Sequence, residues 1–383
     1  MIWRFIEVER VFILAVTCWA LSSTALAGEP RLNQIQVIGS HNSYHIAADP
    51  GVMSLIAAGG ARRAESIDYT HPPLAEQFSQ LGIRQVELDV YADPKGGLFA
   101  SPSARKILIG QKKDPGPDPN AQGQLDKPGL KVLHVPDVDF RSTASTFIDA
   151  LKQVRGWSEA NPRHVPILIQ VELKDTAIPS LPTRPIRFGR EEIDTVDAEI
   201  LSVFAKSEII TPDRIRGRFA TLPEAIRAQG WPALEEVRGL VLFALDNEGS
   251  LRDLYLEGHQ ALKGRVMFAS VEPTDPAAAW FKINDPVKDF DRIQHLVREG
   301  FLVRTRADAD TRQARTGDIN ERDKALASGA QFISTDYPRP DRRFSDYSVR
   351  FSDGQVARSN PVSGDQAWGR IDLESGKSGS GSK

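Results

Sequence analysis

Short β-branched runs alternating with longer helix-patterned stretches limit the fold of this chain more than any other feature. Eight runs read as strands: IQVIGS from Ile35, IRQVELDVY from Ile83, LKVLHV from Leu130, VPILIQVELK from Val165, LVLFALD from Leu240, RVMFASV from Arg265, FLVRTRA from Phe301 and AQFISTDYP from Ala330. Several are almost continuously apolar, as expected of parallel strands covered on both faces. Helical patterns lie between most of them. PPLAEQFSQLG spaces Leu74, Phe78 and Leu81 along one face, with prolines at its start and Gly82 at its stop. STASTFIDALKQVRGW opens on Ser/Thr caps and sets Phe147, Ile148, Leu151 and Val154 along one stripe. The repeated unit predicts an α/β fold, a (β/α)8 TIM barrel in a single domain over 28–350. Two regions break the rhythm. Residues 93–129 are rich in Pro, Gly and Lys and predict a long irregular insertion after strand two. Residues 351–383 form a C-terminal extension, whose Gly/Ser-rich end after Trp368 predicts disorder.

The 383 residues are 40% hydrophobic, enough for a sizeable core, and the net charge is −3 with no basic run. Nothing there favours a polyanionic partner, so nucleic acid is not expected, and the chain is expected to be a monomer. Arg4 and Arg10 precede the apolar VFILAVTCWALSSTALA, which closes on the A-x-A pattern of Ala25 and Ala27. Residues 1–27 therefore read as a signal peptide cut after Ala27, and the protein as exported to the periplasm or beyond. Cleavage removes Cys18, the one cysteine, so the mature chain has no disulfide and no thiolate metal site.

In a (β/α)8 barrel the chemistry gathers at the C-terminal mouth of the strands. Strand one ends in His41 and Asn42, strand two in Glu87 and Asp89, strand three in His134, and strand four in Glu172 and Lys174. Residues two apart on a strand share a face, so Glu87 projects with Asp89, and Glu172 with Lys174. Unpaired buried carboxylates repel and resist desolvation. A hard divalent cation removes that cost, and the all-oxygen set of Asn42, Glu87, Asp89 and Glu172 suits calcium better than zinc. His41 and His134 are then free for proton transfer. The segment 51–61, GVMSLIAAGGA, is either a lipid-touching lip or a packed short helix. His71 reads as structural. His45 reads as a loop hydrogen-bonder, and His164, His259 and His295 as surface residues. Arg304 and Arg306 are expected in salt bridges, and Asp246 and Asp336 face the mouth.

In order, GSHNSY, VELDVY, VLHVPDVDF and ILIQVELK resemble the calcium-dependent phosphoinositide-specific phospholipase C family, above all its secreted single-domain microbial branch. FLVRTRADAD and SGAQFISTDYP are similar to the last two barrel strands of that superfamily. The resemblance implies a Ca2+-dependent phosphodiesterase acting on a phosphoinositide or related diester, with peripheral contact to a membrane surface. It implies His41 and His134 as catalytic imidazoles, Glu87 as a carboxylate that takes the hydroxyl proton, and Asn42, Glu87, Asp89 and Glu172 as calcium ligands. Lys174 matches a basic residue near the substrate phosphate. Exchanging His41 and His134 would leave the pattern unchanged. A glycerophosphodiester phosphodiesterase on the same barrel is the second reading, and a non-catalytic calcium-binding barrel the third.

Overall fold

The computed structural model describes residues 28–377; the signal peptide expected over 1–27 and the end of the tail, 378–383, lie outside the described residues. Among the described residues ten strands are formed: β1 (Ile35–Ser40), β2 (Gln85–Tyr91), β3 (Lys131–Val132), β4 (Ile167–Leu173), β5 (Val241–Leu245), β6 (Met267–Ala269), β7 (Trp280–Lys282), β8 (Leu302–Arg306), β9 (Phe332–Thr335) and β10 (Ala357–Ser359). Eight of them run in the order β6-β5-β4-β2-β1-β9-β8-β7, every neighbouring pair parallel. A parallel bridge from Ser270 to Trp280 brings the two ends of that series together, giving a nearly closed barrel with helices outside it. The (β/α)8 expectation therefore holds.

One of the eight expected barrel strands is different. LKVLHV forms only the two-residue β3, which lies antiparallel on the end of β2 through Val90 and Tyr91. The missing barrel stave is instead β7, Trp280–Lys282, which pairs with β8. Consequently β2 and β4 are direct neighbours in a six-residue register from Gln85↔Leu168 to Val90↔Leu173. That pairing sets Asp89 opposite Glu172. The insertion after β2 is long, as expected, but carries one helix, Ser103–Gly110.

Strands β1 and β2 meet in register at the single pair Gly39↔Gln85. A Cβ on Gly39 would lie 1.9 Å from Gln85 Oε1, so only glycine allows that approach. Below it, β10 pairs antiparallel with Ile35, Gln36 and Val37 of β1. The C-terminal extension is thus woven into the barrel. The expectation of disorder after Trp368 is corrected for residues 369–377: Leu373 is buried, and Glu374 pairs with the buried Arg84. A buried apolar residue and a buried guanidinium anchor what composition alone marks as mobile.

The segment 51–61 falls mostly in a helix, Pro50–Ala58, whose Val52 and Ile56 pack into a small satellite core with Leu108 and Phe140. Among the described residues no helix is long and apolar enough to cross a membrane.

Candidate active site

The turn leaving β1 is stitched to both neighbouring strands. His41 N donates to Thr335 O at 3.0 Å and Ser43 N to Glu87 O at 2.9 Å. Ser43 Oγ in turn accepts from Glu87 N at 2.8 Å. Asn42 takes a left-handed conformation, φ 42°, which asparagine tolerates better than most residues. These bonds fix where His41 and Asn42 leave the strand, against the exit of β2.

His41 Nδ1 donates to Asp336 Oδ1 at 2.7 Å, which settles which ring nitrogen carries that proton. Its Nε2 faces Glu87 Oε1 at 3.5 Å and Arg306 Nη1 at 3.4 Å. The imidazole of His41 holds Asp336 down at about 2, against the upward push of burial. His71 Nε2 donates to His41 O at 2.9 Å, so His71 is structural, as its position beside two prolines suggests.

Glu87 and Asp89 are both buried, as neighbours on one face of β2. Glu87 Oε2 accepts from Arg304 Nη2 at 2.5 Å, while burial still pushes its carboxyl above the usual range. Neither oxygen of Asp89 accepts a hydrogen bond, and Lys174 Nζ stands 3.3 Å from Oδ2. The same ammonium is 3.2 Å from Glu172 Oε1. Burial and the charge of Asp89 push Glu172 up to about 7. Burial opposes the charge on Lys174, but Asp89 and Glu172 outweigh it and hold the ammonium above its ordinary range. Lys174 therefore sits between two of the carboxylates.

One oxygen each from Glu87, Asp89 and Glu172 can be chosen so that all lie within 4.8 Å of one another. The buried Asn42 Oδ1 also lacks a hydrogen-bond partner, its Nδ2 donating to Tyr69 Oη at 3.1 Å. Burying carboxylate and amide oxygens without donors is costly unless something else engages them. Three orphaned oxygens, from Asn42 and Asp89, beside two further carboxylates fit a hard, oxygen-preferring cation such as Ca2+.

His134 lies in the loop after β3 rather than on a barrel strand, and its Nδ1 donates to Asp139 Oδ2 at 2.7 Å. Burial works against protonation of His134, but the bond to Asp139 and its charge outweigh it, so its pKa is raised. Asp139 is held well below the usual carboxylate range because the two imidazoles that contact it overcome its burial. The second is His45, clamped between Tyr69 O at 3.1 Å and Asp139 Oδ1 at 2.9 Å. Exposure separates the three imidazoles: the side chains of His41 and His134 are 18% and 23% exposed, that of His45 is closed off. Asp139 stands two residues beyond the Asp137 of the same motif, and only the fold shows which of the two faces His134. Asp137 instead accepts from the backbone of Ser103 and Thr183.

Arg304 and Arg306 form the expected salt bridges, to Glu87 and Asp336. Asp246 binds Lys282 Nζ at 2.9 Å, a partner that sits on the strand missed in the sequence. His164, expected at the surface, is buried between Ser158 Oγ and Val165 O.

The sequence model of a family described as phosphoinositide phospholipase C, Ca2+-dependent, matches residues 30–361. Among solved structures, the chain is 16% identical to a calcium-dependent phosphoinositol-specific phospholipase C from the Gram-negative bacterium Pseudomonas sp. in its myoinositol complex. That likeness has a TM-score of 0.50 and covers 86% of this chain and 96% of that one. A Ca2+-dependent phosphatidylinositol-specific phospholipase C from Streptomyces antibioticus is 17% identical, with a TM-score of 0.49 over 80% of this chain and 95% of that one. No curated protein matches the chain.

Proposed function

The chain belongs to the calcium-dependent phosphoinositide phospholipase C family, a family of phosphoric diester hydrolases, and on that premise we propose that it is an exported enzyme cleaving the glycerol–phosphate bond of phosphatidylinositol. The inositol hydroxyl beside the phosphate attacks phosphorus, forming a cyclic phosphodiester that water opens more slowly. The observation carrying this reading is the pair of donor-starved residues, Asn42 and Asp89, in one strand-end cluster with Glu87 and Glu172.

Asn42, Glu87, Asp89 and Glu172 would hold Ca2+, which when bound lowers the pKa of the hydroxyl and offsets charge growing on the phosphate. The rest is the work of the chain's own side chains. Glu87, its carboxyl raised by burial, accepts the hydroxyl proton. His41, held by Asp336 through Nδ1, donates from a protonated Nε2 to a phosphoryl oxygen. The bond from phosphorus to the glycerol oxygen breaks with its electrons on that oxygen. His134, kept protonated by Asp139, supplies the proton that oxygen needs. Lys174 steadies the phosphate. The same scheme runs with the two imidazoles exchanged.

The test is hydrolysis of phosphatidylinositol and of glycerophosphoinositol, with calcium or chelator, by wild type and His41→Ala. Wild type should cleave the lipid only with calcium, and the variant should be slower by about 10²–10⁴-fold. Activity that survives the chelator removes the calcium assignment. Full activity in the variant removes the role of His41. Cleavage of the soluble diester alone makes the protein a glycerophosphodiester phosphodiesterase.

A further inference from the structure

We propose that Asp308, a carboxyl closed to solvent, is a positioning residue for His41, and that gain or loss of its proton changes how Asp336 holds that imidazole. This deepens the function proposed above and rests on it. Asp308 lies in the loop after β8 and is fully buried. Its Oδ1 accepts from Asp336 N at 2.8 Å, and its Oδ2 is bonded to Thr335 Oγ1. One carboxyl thus caps two consecutive residues at the exit of β9. Those two residues are the ones that hold His41. Thr335 O accepts from His41 N at 3.0 Å, and Asp336 Oδ1 from His41 Nδ1 at 2.7 Å. Arg306 ties the group together from β8, donating from Nε to Asp308 O at 2.9 Å and from Nη2 to Asp336 Oδ2 at 3.3 Å.

The count of protons makes this cap a switch. Tyr347 Oη stands 3.0 Å from Ala307 O and 3.1 Å from Asp308 Oδ2, with one proton for two acceptors. An ionised Asp308 draws that proton to itself; a neutral one donates its own to a neighbouring hydroxyl and leaves Tyr347 on Ala307 O. The charged and titratable groups facing it are Arg306 on β8, Asp336 and Tyr337 after β9, and Tyr347, with Glu321 and Arg322 of the helix Asn320–Ala327 behind the Tyr347 ring. Arg306 directs its guanidinium to Asp308 O, Asp336 and His41, so among the described residues no cation pairs with the Asp308 carboxyl. Burial and the charge of Asp336 push that carboxyl up to about 7, which puts both of its states within reach near neutrality. Ionisation sets a second negative charge behind Asp336, and that charge favours the doubly protonated ring of His41, the form that donates from Nε2.

The test compares the full exported chain with Asp308→Asn, which keeps an oxygen for Asp336 N, offers an amide to the hydroxyls and stays neutral at every pH. With calcium and phosphatidylinositol, the ratio of wild-type to variant kcat should be close to one at about pH 5 and rise to about tenfold at about pH 8. A ratio that stays constant with pH is what a merely structural role gives, and it overturns the proposal. A measurement independent of turnover separates this inference from the proposed activity. In wild type labelled with 15N in its histidine rings, the resonances of His41 should show a step whose midpoint matches that of the Asp308 13C carboxyl resonance. The step should vanish in Asp308→Asn, and His41 resonances indifferent to Asp308 overturn the coupling. The matched step in a protein that cleaves no phosphoinositide would sink the enzymatic reading and leave the coupling standing. Should Asp308→Asn fail to fold, Tyr347→Phe carries the test: it removes a donor to the carboxylate, so the shared midpoint should move up, and an unmoved midpoint overturns the proposal.

Discussion

At the scale of single residues, the mouth of this barrel is organised by carboxylates that differ in what neutralises them. Asp139 and Asp336 each hold an imidazole, and Glu87 holds a guanidinium, whereas Asp89 has only an ammonium that it shares with Glu172. Asp308 is the odd one out. It is buried beside Asp336, accepts from Asp336 N at 2.8 Å and from Tyr347 Oη at 3.1 Å, and has no cation of its own. Burial and the charge of Asp336 push it up to about 7. A carboxyl that binds its proton more tightly when folded stabilises the fold in acid, and that contribution is lost as pH rises from about 4 through 7. The loss is on the order of 4 kcal/mol. Asp336, held at about 2, has the opposite sign: its contribution is present above about 4 and lost as pH falls through 2. Denaturant unfolding of Asp308→Asn should therefore show a flatter stability profile than wild type between pH 4 and 7. Identical slopes would mean that Asp308 is ionised throughout. At this scale the sequence exposed much of the candidate site, because residues two apart on a strand must share a face. It did not expose Asp139 as the partner of His134, since that choice depends on how a loop turns.

At the scale of elements, the informative differences lie where a short segment gains its structure from its neighbours. LKVLHV has the composition of a barrel strand, yet only Lys131 and Val132 pair, and they pair antiparallel at the end of β2. Trp280–Lys282 is too short and too closely followed by Asn and Pro to read as a strand, but β8 and the Ser270 bridge hold it in the barrel. Alternation of pattern therefore gave the correct architecture with one wrong stave. The C-terminal extension shows the same dependence on tertiary context. Its β10 covers the part of β1 that β2 does not reach, and Glu374 meets the buried Arg84. Removing one partner of a buried pair costs more than the pair itself contributes, because a charge is left without a counter-ion. Arg84 keeps its bonds to Phe78 O and Ile83 O, which limits the damage. Glu374→Ala should destabilise the fold by about 3 kcal/mol, read as a lowered midpoint of denaturant unfolding. A midpoint equal to that of wild type would show that the extension only rests on the barrel.

At the scale of the whole molecule, the parallel barrel brings side chains from sequence positions 41 to 336 to one rim, and that convergence is what a linear reading can only infer. Adjacent staves β1, β2 and β4 carry the oxygen cluster, and β8 and β9 supply the guanidinium and carboxylate groups behind Glu87 and His41. The first helices and the loops after β3 and β4 border a cleft that His134 also lines. On the function proposed above, one ion-binding cluster would serve a phosphate flanked by two imidazoles. Calorimetric titration of the chelator-treated protein with calcium tests this most directly. The account predicts one Ca2+ per wild-type chain, and binding lost or weakened at least about tenfold in Asp89→Asn, which keeps the shape of the side chain and removes its charge. Undiminished binding in that variant, or no binding by wild type, would contradict it.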